Sequence, residues 1–339
     1  DILKKYTDCD HTMDQKDIMR KLTEDYDITV DRKSIKANLD CLFDYGYEIE
    51  CTKTERIKKD GTKEIITSNW YYNHEFDDSE LRMMIDSILF SKTIPAGQAS
   101  ELIKKIAGLS NIYFTNKMTH VSSLPGLEHT SNQQTLYNVG LIDDAISEKK
   151  QISFVYNNYW EDKKLHPRRE EPYIVNPYQM VANDGKYYLV CNYDKYDTLS
   201  NYRVDKMTQV KIINKPAKKS DKVKGMEHGL NLPKHMAEHI YMFADEPVTI
   251  ILRVKKSAIS DIVDWFGSNF DVVDESIARQ YEGFRETTDA VTYVRLVCSR
   301  QAMSHWAMQY GTSVEVIYPT ELRTQIGEAV KEMNNRYND

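Results

Sequence analysis

The sequence of 339 residues lacks the long apolar runs and the paired cysteines that mark membrane and secreted proteins. No apolar run approaches the roughly 18 residues of a membrane span, so no membrane partner is predicted. The five cysteines, at positions 9, 41, 51, 191 and 298, are odd in number and include no CxxC. This pattern favours reduced thiols in a cytoplasmic protein over a disulfide framework or a zinc site. We expect no signal peptide, although Asp1-Ile2-Leu3 is typical of the middle of a helix.

The motifs of common catalytic and nucleotide-binding sites are also missing. There is no GxSxG, no P-loop and no GxGxxG after a strand. His235 and His239 stand four residues apart with Glu238 between them, which could bind a metal, but no third ligand is obvious. Partly exposed helix histidines are the simpler interpretation. We therefore expect no catalytic residue, metal or cofactor, and a protein that is not an enzyme.

Positive charge is scarce and unevenly distributed. The formal net charge of −7 excludes a uniformly basic nucleic-acid binder. Residues 1–73 hold 13 basic and 16 acidic side chains, and residues 225–339 hold 11 and 17. Residues 203–224, in contrast, hold 8 basic and 2 acidic side chains. Any contact with nucleic acid must therefore use local patches rather than a global field.

Residues 1–73 are typical of three helices followed by a hairpin. Asp31 is placed to cap a third helix, in which Ile35, Leu39 and Leu42 form one apolar face. A lysine-rich hairpin follows, with Asp60-Gly61 as its turn. This pattern predicts a winged helix-turn-helix that binds double-stranded DNA, or else a small three-helix domain whose charged helix face is merely solvated. The candidate DNA-binding residues are Arg32, Lys33, Ser34, Lys36 and Asn38 on the helix and Lys58, Lys59 and Lys63 in the hairpin.

Residues 74–135 are predicted to be a helical connector. One helix is expected from residue 77 to Ile94, because Pro95 would break it, and a second from Gln98 to Leu109. Residues 115–134 are polar, contain Pro125-Gly126, and are predicted to be a loop.

The stretch from Gly185 to Met207 (GKYYLVCNYDKYDTLSNYRVDKM) predicts two strands and the turn between them. Its first strand alternates, with Leu189 and Cys191 on one face and Tyr188 and Val190 on the other. Together with their neighbours these residues predict a small barrel with strands at 151–157, 171–176, 178–182, 186–193 and 201–212. Ten of the 23 tyrosines fall within residues 136–213, and most are expected to pack in the core or at an edge.

The same stretch resembles the WYL domain family. Tyr187-Tyr188-Leu189 is similar to the Trp-Tyr-Leu triplet that names the domain, with Tyr in the first position. Pro177-Tyr178, and the run from Tyr202 to Met207, are similar to its Pro-Tyr and Phe-Arg-(aliphatic)-Asp-Arg-(aliphatic) elements, with Lys206 in place of the usual Arg. The resemblance implies an Sm-like or SH3-like barrel over residues 136–213, a winged helix in front, and ligand contacts on the strand of Arg203.

Two basic elements of this region are candidates for an anion site. The loop from Lys163 to Arg169 follows Tyr159 and Trp160, and the strand of Arg203 and Lys206 adjoins tyrosines that could stack on a base. Alternatively, the loop is merely solvated and Arg203 pairs with Asp205 or Asp184. The candidate ligand-binding residues are Lys164, His166, Arg168, Arg169, Tyr178, Tyr188, Arg203 and Lys206.

A basic linker, residues 214–224, leads to a last domain at 225–339. Its pattern of strand, helix, strand, strand, helix, strand and helix is ferredoxin-like. The segments Trp306–Gly311 and Val314–Pro319 resemble the C-terminal extension that often follows WYL domains. The predicted fold class is therefore α+β multidomain: a winged helix-turn-helix, a small WYL barrel and a ferredoxin-like domain that helps to form a homodimer.

These parts together predict a bacterial-type transcriptional regulator that binds double-stranded DNA. The WYL resemblance implies a nucleotide or single-stranded nucleic acid as its effector. An alternative is a WYL-containing accessory protein of a defence system, which binds RNA or single-stranded DNA and uses the winged helix as a scaffold. A nuclease is a third and weaker alternative.

Overall fold

The computed structural model describes residues 1–117, 130–286, 288 and 290–338, which form two compact units, Asp1–Gln133 and Gln134–Asp339. Pro125 and Gly126 of the predicted loop lie outside the described residues. None of the helices within these ranges is both long and apolar enough to cross a membrane. The elements of the first unit are α1 (Ile2–Tyr6), α2 (Gln15–Tyr26), α3 (Arg32–Asp44), β1 (Ile49–Ile57), β2 (Lys63–Tyr72), α4 (Asp78–Phe90), α5 (Ala96–Ala107) and α6 (Ile112–Lys117).

The first unit opens with the predicted winged helix. Ile35 and Leu39, one turn apart on α3, pack against the base of the β1–β2 hairpin, where Trp70 is only 1% exposed. A backbone bridge joins Met13, ahead of α2, to Trp70 and ties the helices to the hairpin. Gly46 has φ of +76°, a conformation that glycine adopts without strain, and the chain turns there from α3 to β1.

Three details of the connector differ from the prediction. Helix α4 ends at Phe90 rather than near Ile94: Ser91 is extended, and beyond it the Lys92 carbonyl accepts a hydrogen bond from the amide of Thr130. The next helix runs from Ala96 to Ala107, two residues earlier than predicted. Part of the predicted loop is helix α6, whose first amides bond to the side chain of Asn111.

A curled sheet dominates the first half of the second unit. Strand β3 pairs with β8 along one edge, and with β5 and then β4 along the other. The strand order is β4-β3-β5-β6-β7, and β8 joins this path through β3. Helix α7 packs on the inner face of the curled sheet. The sheet is therefore a half-barrel whose open side is covered by this helix. These elements are α7 (Thr135–Ser147), β3 (Lys150–Tyr159), β4 (Leu165–Pro167), β5 (Tyr173–Asn183), β6 (Lys186–Asn192), β7 (Leu199–Arg203) and β8 (Met207–Pro216).

The strand boundaries also correct the prediction. The two strands predicted on either side of Pro177 are one strand, β5, with an irregularity between Pro177 and Gln179, where a proline is tolerated. The strand predicted over 201–212 is broken by a 3-10 turn at Val204–Lys206, which separates β7 from β8. This turn places Arg203 and Lys206 at a corner of the sheet.

Polar side chains buried beneath β5 and β6 hold the basic linker against the half-barrel. Asn176 is fully buried, and its amide donates to Asp194 at 2.9 Å, while Gln151 donates to the same carboxylate oxygen at 2.9 Å. The ammonium of Lys215 donates to the other carboxylate oxygen of Asp194 at 2.7 Å. The backbone amide of Lys218 donates to the side-chain oxygen of Asn176 at 3.0 Å. The linker is therefore an ordered part of the unit.

This network predicts a specific sensitivity to acid. The hydrogen bond from Lys215, aided by two amides, lowers the pKa of Asp194 from 3.8 to about 2. A depressed folded pKa contributes stability above the unfolded pKa and loses it as the pH falls through the folded one. In urea denaturation, the stability difference between wild type and Asp194→Asn is therefore expected to shrink between pH 4 and pH 2. An equal difference at pH 5 and pH 2 would contradict this role.

The last part of the chain is a four-stranded antiparallel sheet with the strand order β10-β11-β9-β12, which confirms the ferredoxin-like prediction. One face carries α9, α11 and α12 around the fully buried Trp306. Before β9, helix α8 and Met242 pack against Val190 of β6, so the outer face of the half-barrel is covered as well. These elements are α8 (Leu232–Glu238), β9 (Pro247–Lys255), α9 (Ile259–Phe266), β10 (Phe270–Val273), α10 (Glu275–Ala278), β11 (Val291–Ser299), α11 (Arg300–Gln309), β12 (Val314–Tyr318) and α12 (Thr320–Asn338).

Candidate ligand and nucleic-acid sites

A two-pronged ion pair between Arg203 and Asp205 stands at the corner of the half-barrel. The guanidinium reaches both carboxylate oxygens, with Nε–Oδ1 at 3.1 Å and NH2–Oδ2 at 2.7 Å. The Asp205 side chain is 1% exposed and that of Arg203 is 26% exposed. Burial alone would lower the pKa of Arg203, but the hydrogen bond and charge of Asp205 outweigh it and raise that pKa. The fork of Arg203 is thus already occupied by a buried carboxylate.

Lys206 is the centre of a cationic cluster beside this pair. Burial and the charge of Arg203 lower the pKa of Lys206. The positive charges of Arg168 and Lys186 lower it further, and Asp205 acts in the opposite direction. An ammonium in such surroundings is stabilised by any anion that comes close.

The cluster has more positive charge than its own carboxylates neutralise. Lys186 pairs with Asp184 at 2.8 Å, and Arg203 pairs with Asp205. Within the described residues, neither Lys206 nor Arg168 has an ion-pair partner, which leaves a surplus of two positive charges. The cationic cluster, defined as Arg168, Lys186, Arg203 and Lys206, is therefore suited to an anionic ligand.

Two tyrosines border the cationic cluster. Tyr188 lies directly opposite Arg203 in the pairing of β6 with β7, and it is half-buried. The Tyr156 hydroxyl accepts from the backbone amide of Arg203 at 3.4 Å, and burial raises the pKa of Tyr156 to about 12. The carbonyl of Tyr156 accepts from the amide of Arg168 at 2.8 Å, which fixes the chain that carries this arginine.

The other candidate ligand residues lie elsewhere. His166 stacks on Trp160 and pairs with Asp162, so it stabilises the tip of the β3–β4 hairpin, where Lys164 is exposed. The guanidinium of Arg169 lies 3.6 Å from the ring centroid of Tyr173 and donates to two backbone carbonyls. Tyr178 donates to the carbonyl of Lys218, beside the polar network under the linker. The structure thus unites Arg168, Tyr188, Arg203 and Lys206, and it separates them from Lys164, His166, Arg169 and Tyr178.

Sequence reasoning missed Lys186 and Tyr156 as members of the site. Lys186 is two residues before Tyr188 on the same strand, so period-2 alternation places both side chains on one face of the sheet. That signal was available for Lys186. Tyr156 joins the site only through the pairing of β3 with β8, which places it opposite Met207.

The candidate DNA-binding residues of α3 fall on different sides of the helix. The Asp31 side chain caps α3 by accepting hydrogen bonds from the backbone amides of Lys33 and Ser34. It also accepts a hydrogen bond from the Ser34 hydroxyl, at 2.9 Å. Arg32 donates to Gln15 on α2 at 3.1 Å and so links the two helices. Lys33 therefore stands exposed at the start of the helix, while Arg32 and Ser34 make structural contacts.

Lys36 and Asn38 are both exposed, but residues two apart on an α-helix lie about 200° apart around its axis. Asn38 borders an apolar groove with Leu42 and Tyr47, so it does not share the face of Lys36.

The hairpin lysines are partly neutralised. Lys58 pairs with Glu64 at 3.6 Å and Lys63 with Glu55 at 3.0 Å, both at exposed positions where such pairs contribute little stability. Lys59 lies at the tip without an ion-pair partner among the described residues. A phosphate could displace either exposed glutamate at small cost.

The two histidines weighed as metal ligands stack on each other. The ring centroids of His235 and His239 are 4.3 Å apart, and Nδ1 of His239 bonds to the carbonyl of His235. Burial lowers the pKa of His235 to about 4. In the part of the chain that the structure describes, no group of three or more His, Cys, Asp or Glu side chains is arranged to hold a metal.

Comparison with known proteins gives two domain matches. The WYL domain matches residues 138–212, and the WCX domain matches residues 246–333. None of the curated proteins matches the chain.

Two solved structures are similar at low identity. Proteasome accessory factor B/C (PafBC) of Arthrobacter aurescens is 13% identical with a TM-score of 0.28, over 95% of this chain and 46% of that one. A CRISPR Cas-related protein is 14% identical with a TM-score of 0.38, over 93% of this chain and 76% of that one. The chain thus spans less than half the length of the PafBC chain. Residues 138–212 thus carry a WYL domain, which is followed by a WCX domain at residues 246–333.

Proposed function

We propose that this protein is a cytoplasmic, non-enzymatic transcriptional regulator. Its winged helix binds double-stranded DNA as part of a homodimer, and its WYL domain senses a nucleotide or a single-stranded nucleic acid. The observation that carries the proposal is the cationic cluster, in which the half-buried Lys206 and the exposed Arg168 have no ion-pair partner among the described residues. Tyr188 beside it is half-buried and offers a ring on which a base can stack.

The winged helix supports the DNA-binding part of the proposal. A capped helix with exposed Lys33 and Lys36 is followed by a hairpin with Lys59 at its tip, which is the arrangement that contacts a major groove and the adjoining backbone. Helix-turn-helix proteins usually bind two half-sites about one helical turn apart, so a two-fold partner is part of the proposal.

Selection from random duplexes tests this function. Wild-type protein is expected to enrich one inverted-repeat site. Lys58→Ala combined with Lys59→Ala should weaken binding to all duplexes and reduce the salt slope by about 2, because each lost phosphate contact removes about 0.9. The matched control is Lys104→Ala with Lys105→Ala, two exposed lysines of α5. Equal salt slopes for the wing variant and wild type would contradict DNA binding by the winged helix.

The charge balance of the winged helix favours a second candidate. Residues 31–46 hold three basic and three acidic side chains, and residues 47–73 hold five of each. A domain with no net positive charge has a weak electrostatic attraction to duplex DNA. If no duplex is enriched but single-stranded RNA or DNA binds the cationic cluster, the protein is an accessory factor whose winged helix is a scaffold.

A further inference from the structure

A groove in the WCX domain, far along the chain from the cationic cluster, has the features of a second binding site. It encloses about 600 Å³ between the edge strand β12 and helix α12. Arginine and lysine side chains line one part, and apolar side chains line the other. The residues that matter here are Arg253, Lys255, Glu315, Arg323, Gly327, Val330 and Met333.

Arg253 lines this groove. Its Nε atom is buried and has no hydrogen-bond partner among the residues that the structure describes. Its closest carboxylate oxygen, on Glu315, is 3.7 Å from NH1, which is beyond hydrogen-bonding distance. The side chain is only 23% exposed, and its buried Nε–H donor is out of reach of bulk water. A planar fork of donors in this state matches the two oxygens of a carboxylate or phosphate.

The charges around Arg253 also favour an anion. Glu315 is shared among three guanidinium groups, those of Arg253 at 3.7 Å, Arg285 at 3.7 Å and Arg323 at 2.9 Å. Arg323 donates to Glu315 and to the carbonyl of Val316, and so it holds that carboxylate in place. Among the described residues, these three guanidinium groups share one carboxylate, and Lys255 on the groove wall adds a further positive charge.

Helix α12 supplies the apolar wall and leaves space beside it. Val330 and Met333 are 50% and 41% exposed, on the helix face that also carries Arg323 and Gly327. A Cβ added at Gly327 would meet nothing within 4 Å, so the packing of the domain does not require a glycine. Glycine is unfavourable in a helix interior, but it lets another molecule approach the backbone closely.

We propose that this groove binds a small organic anion, with a carboxylate or phosphate group on Arg253 and a flat apolar body against Val330 and Met333. The occupant lies over Gly327, where the helix has no side chain. The site is separate from the cationic cluster of the WYL domain.

Calorimetric titration of the full chain tests the site, with phenyl phosphate, benzoate and inorganic phosphate as probes. Phenyl phosphate is expected to bind at least about tenfold more tightly than inorganic phosphate, because only the former covers the apolar wall. Arg253→Gln should weaken phenyl phosphate at least about tenfold. Arg295→Gln is the matched control, since Arg295 lies on β11 of the same sheet and pairs with Asp271 at 2.9 Å. It should leave the affinity unchanged.

Gly327→Leu separates binding from folding. Leucine is a better helix former than glycine, so Tm should hold or rise, while the new side chain fills the groove and abolishes binding. Repeating the titrations in an Arg168→Glu/Lys206→Glu protein locates the probe, and the binding should persist there. The proposal is overturned if no probe saturates wild type, if inorganic phosphate binds as tightly as phenyl phosphate, or if binding disappears only in the Arg168→Glu/Lys206→Glu protein. Dimers that dissociate on Gly327→Leu, without probe binding by wild type, would instead make the groove an interface between copies.

Discussion

Arg203→Ala is expected to lower the free energy of unfolding by about 3 kcal/mol, which corresponds to a fall in Tm of about 6–12 °C for a unit of this size. The substitution leaves the Asp205 carboxylate, 1% exposed, without its two-pronged partner. A buried charge that loses its ion-pair partner is among the most costly defects in a folded protein. The quarter of the Arg203 side chain that remains exposed places the loss at the lower end of the usual range.

The double variant Arg203→Ala/Asp205→Ala separates pairing from packing. It removes both charges, so it should recover a large part of the lost stability in urea denaturation at pH 7. Arg203→Lys keeps the charge but not the fork, and should fall between Arg203→Ala and wild type. If the double variant were as unstable as the sum of the two single variants, the pair would contribute nothing and Arg203 would act through other contacts.

Local patterns predicted much of the fold because they depend on neighbours in sequence. The spacing of Ile35 and Leu39 placed α3, and the alternation from Tyr188 to Cys191 placed β6 with its two faces. Both faces of β6 are buried, one by the half-barrel core and one by the segment around Met242. The alternation of residues along β6 assigns each side chain to a face of the strand. It could not predict what covers the outer face, because the covering segment lies about 50 residues further along the chain.

The misses share a physical cause, which is competition from distant contacts. The chain leaves the helical conformation at Ser91, and the segment after it bonds through the Lys92 carbonyl to the amide of Thr130, some forty residues away from the helix. The break between β7 and β8 places buried Val204 and Met207 in the core while Asp205 turns to Arg203. Pairing of Arg203 with Asp205 was one of two alternatives in the sequence, and only the geometry shows it. Because that pair uses the Arg203 fork, the ligand contacts proposed for it shift to Lys206 and Arg168.

The structure therefore brings together four of the eight predicted ligand-binding residues. Arg168 and Lys206 are 38 positions apart, and they meet because β3 pairs with both β4 and β8. The basic loop between β3 and β4 looked like one element in sequence. In the structure, Arg168 alone among its candidates joins the cluster, because the hairpin turn directs Lys164 and His166 toward the tip.

Arg168→Glu combined with Lys206→Glu is expected to weaken binding of a short single-stranded oligonucleotide by at least about a hundredfold. Each substitution replaces an attractive charge with a repulsive one, and Lys206 is half-buried, where charges interact more strongly than at the surface. Fluorescence anisotropy with a labelled oligonucleotide measures the loss. The matched control is Lys211→Glu with Lys222→Glu, which changes the net charge by the same amount at exposed positions outside the cluster. It should cost less than about tenfold, and less still at high salt, because exposed charges are screened.

A salt series distinguishes a built site from general attraction. If the cationic cluster holds the ligand, the difference between the two double variants should persist at 0.5 M salt, where the screening length falls to about 4 Å. The single variant Arg168→Glu is the control for misfolding. Because Arg168 is exposed, its replacement should leave Tm unchanged while binding weakens at least tenfold. Equal losses of affinity in the two double variants at every salt concentration would show that oligonucleotide binding depends on the net charge of the protein alone. The sensing site would then lie outside the WYL corner formed by Arg203, Lys206 and Tyr188.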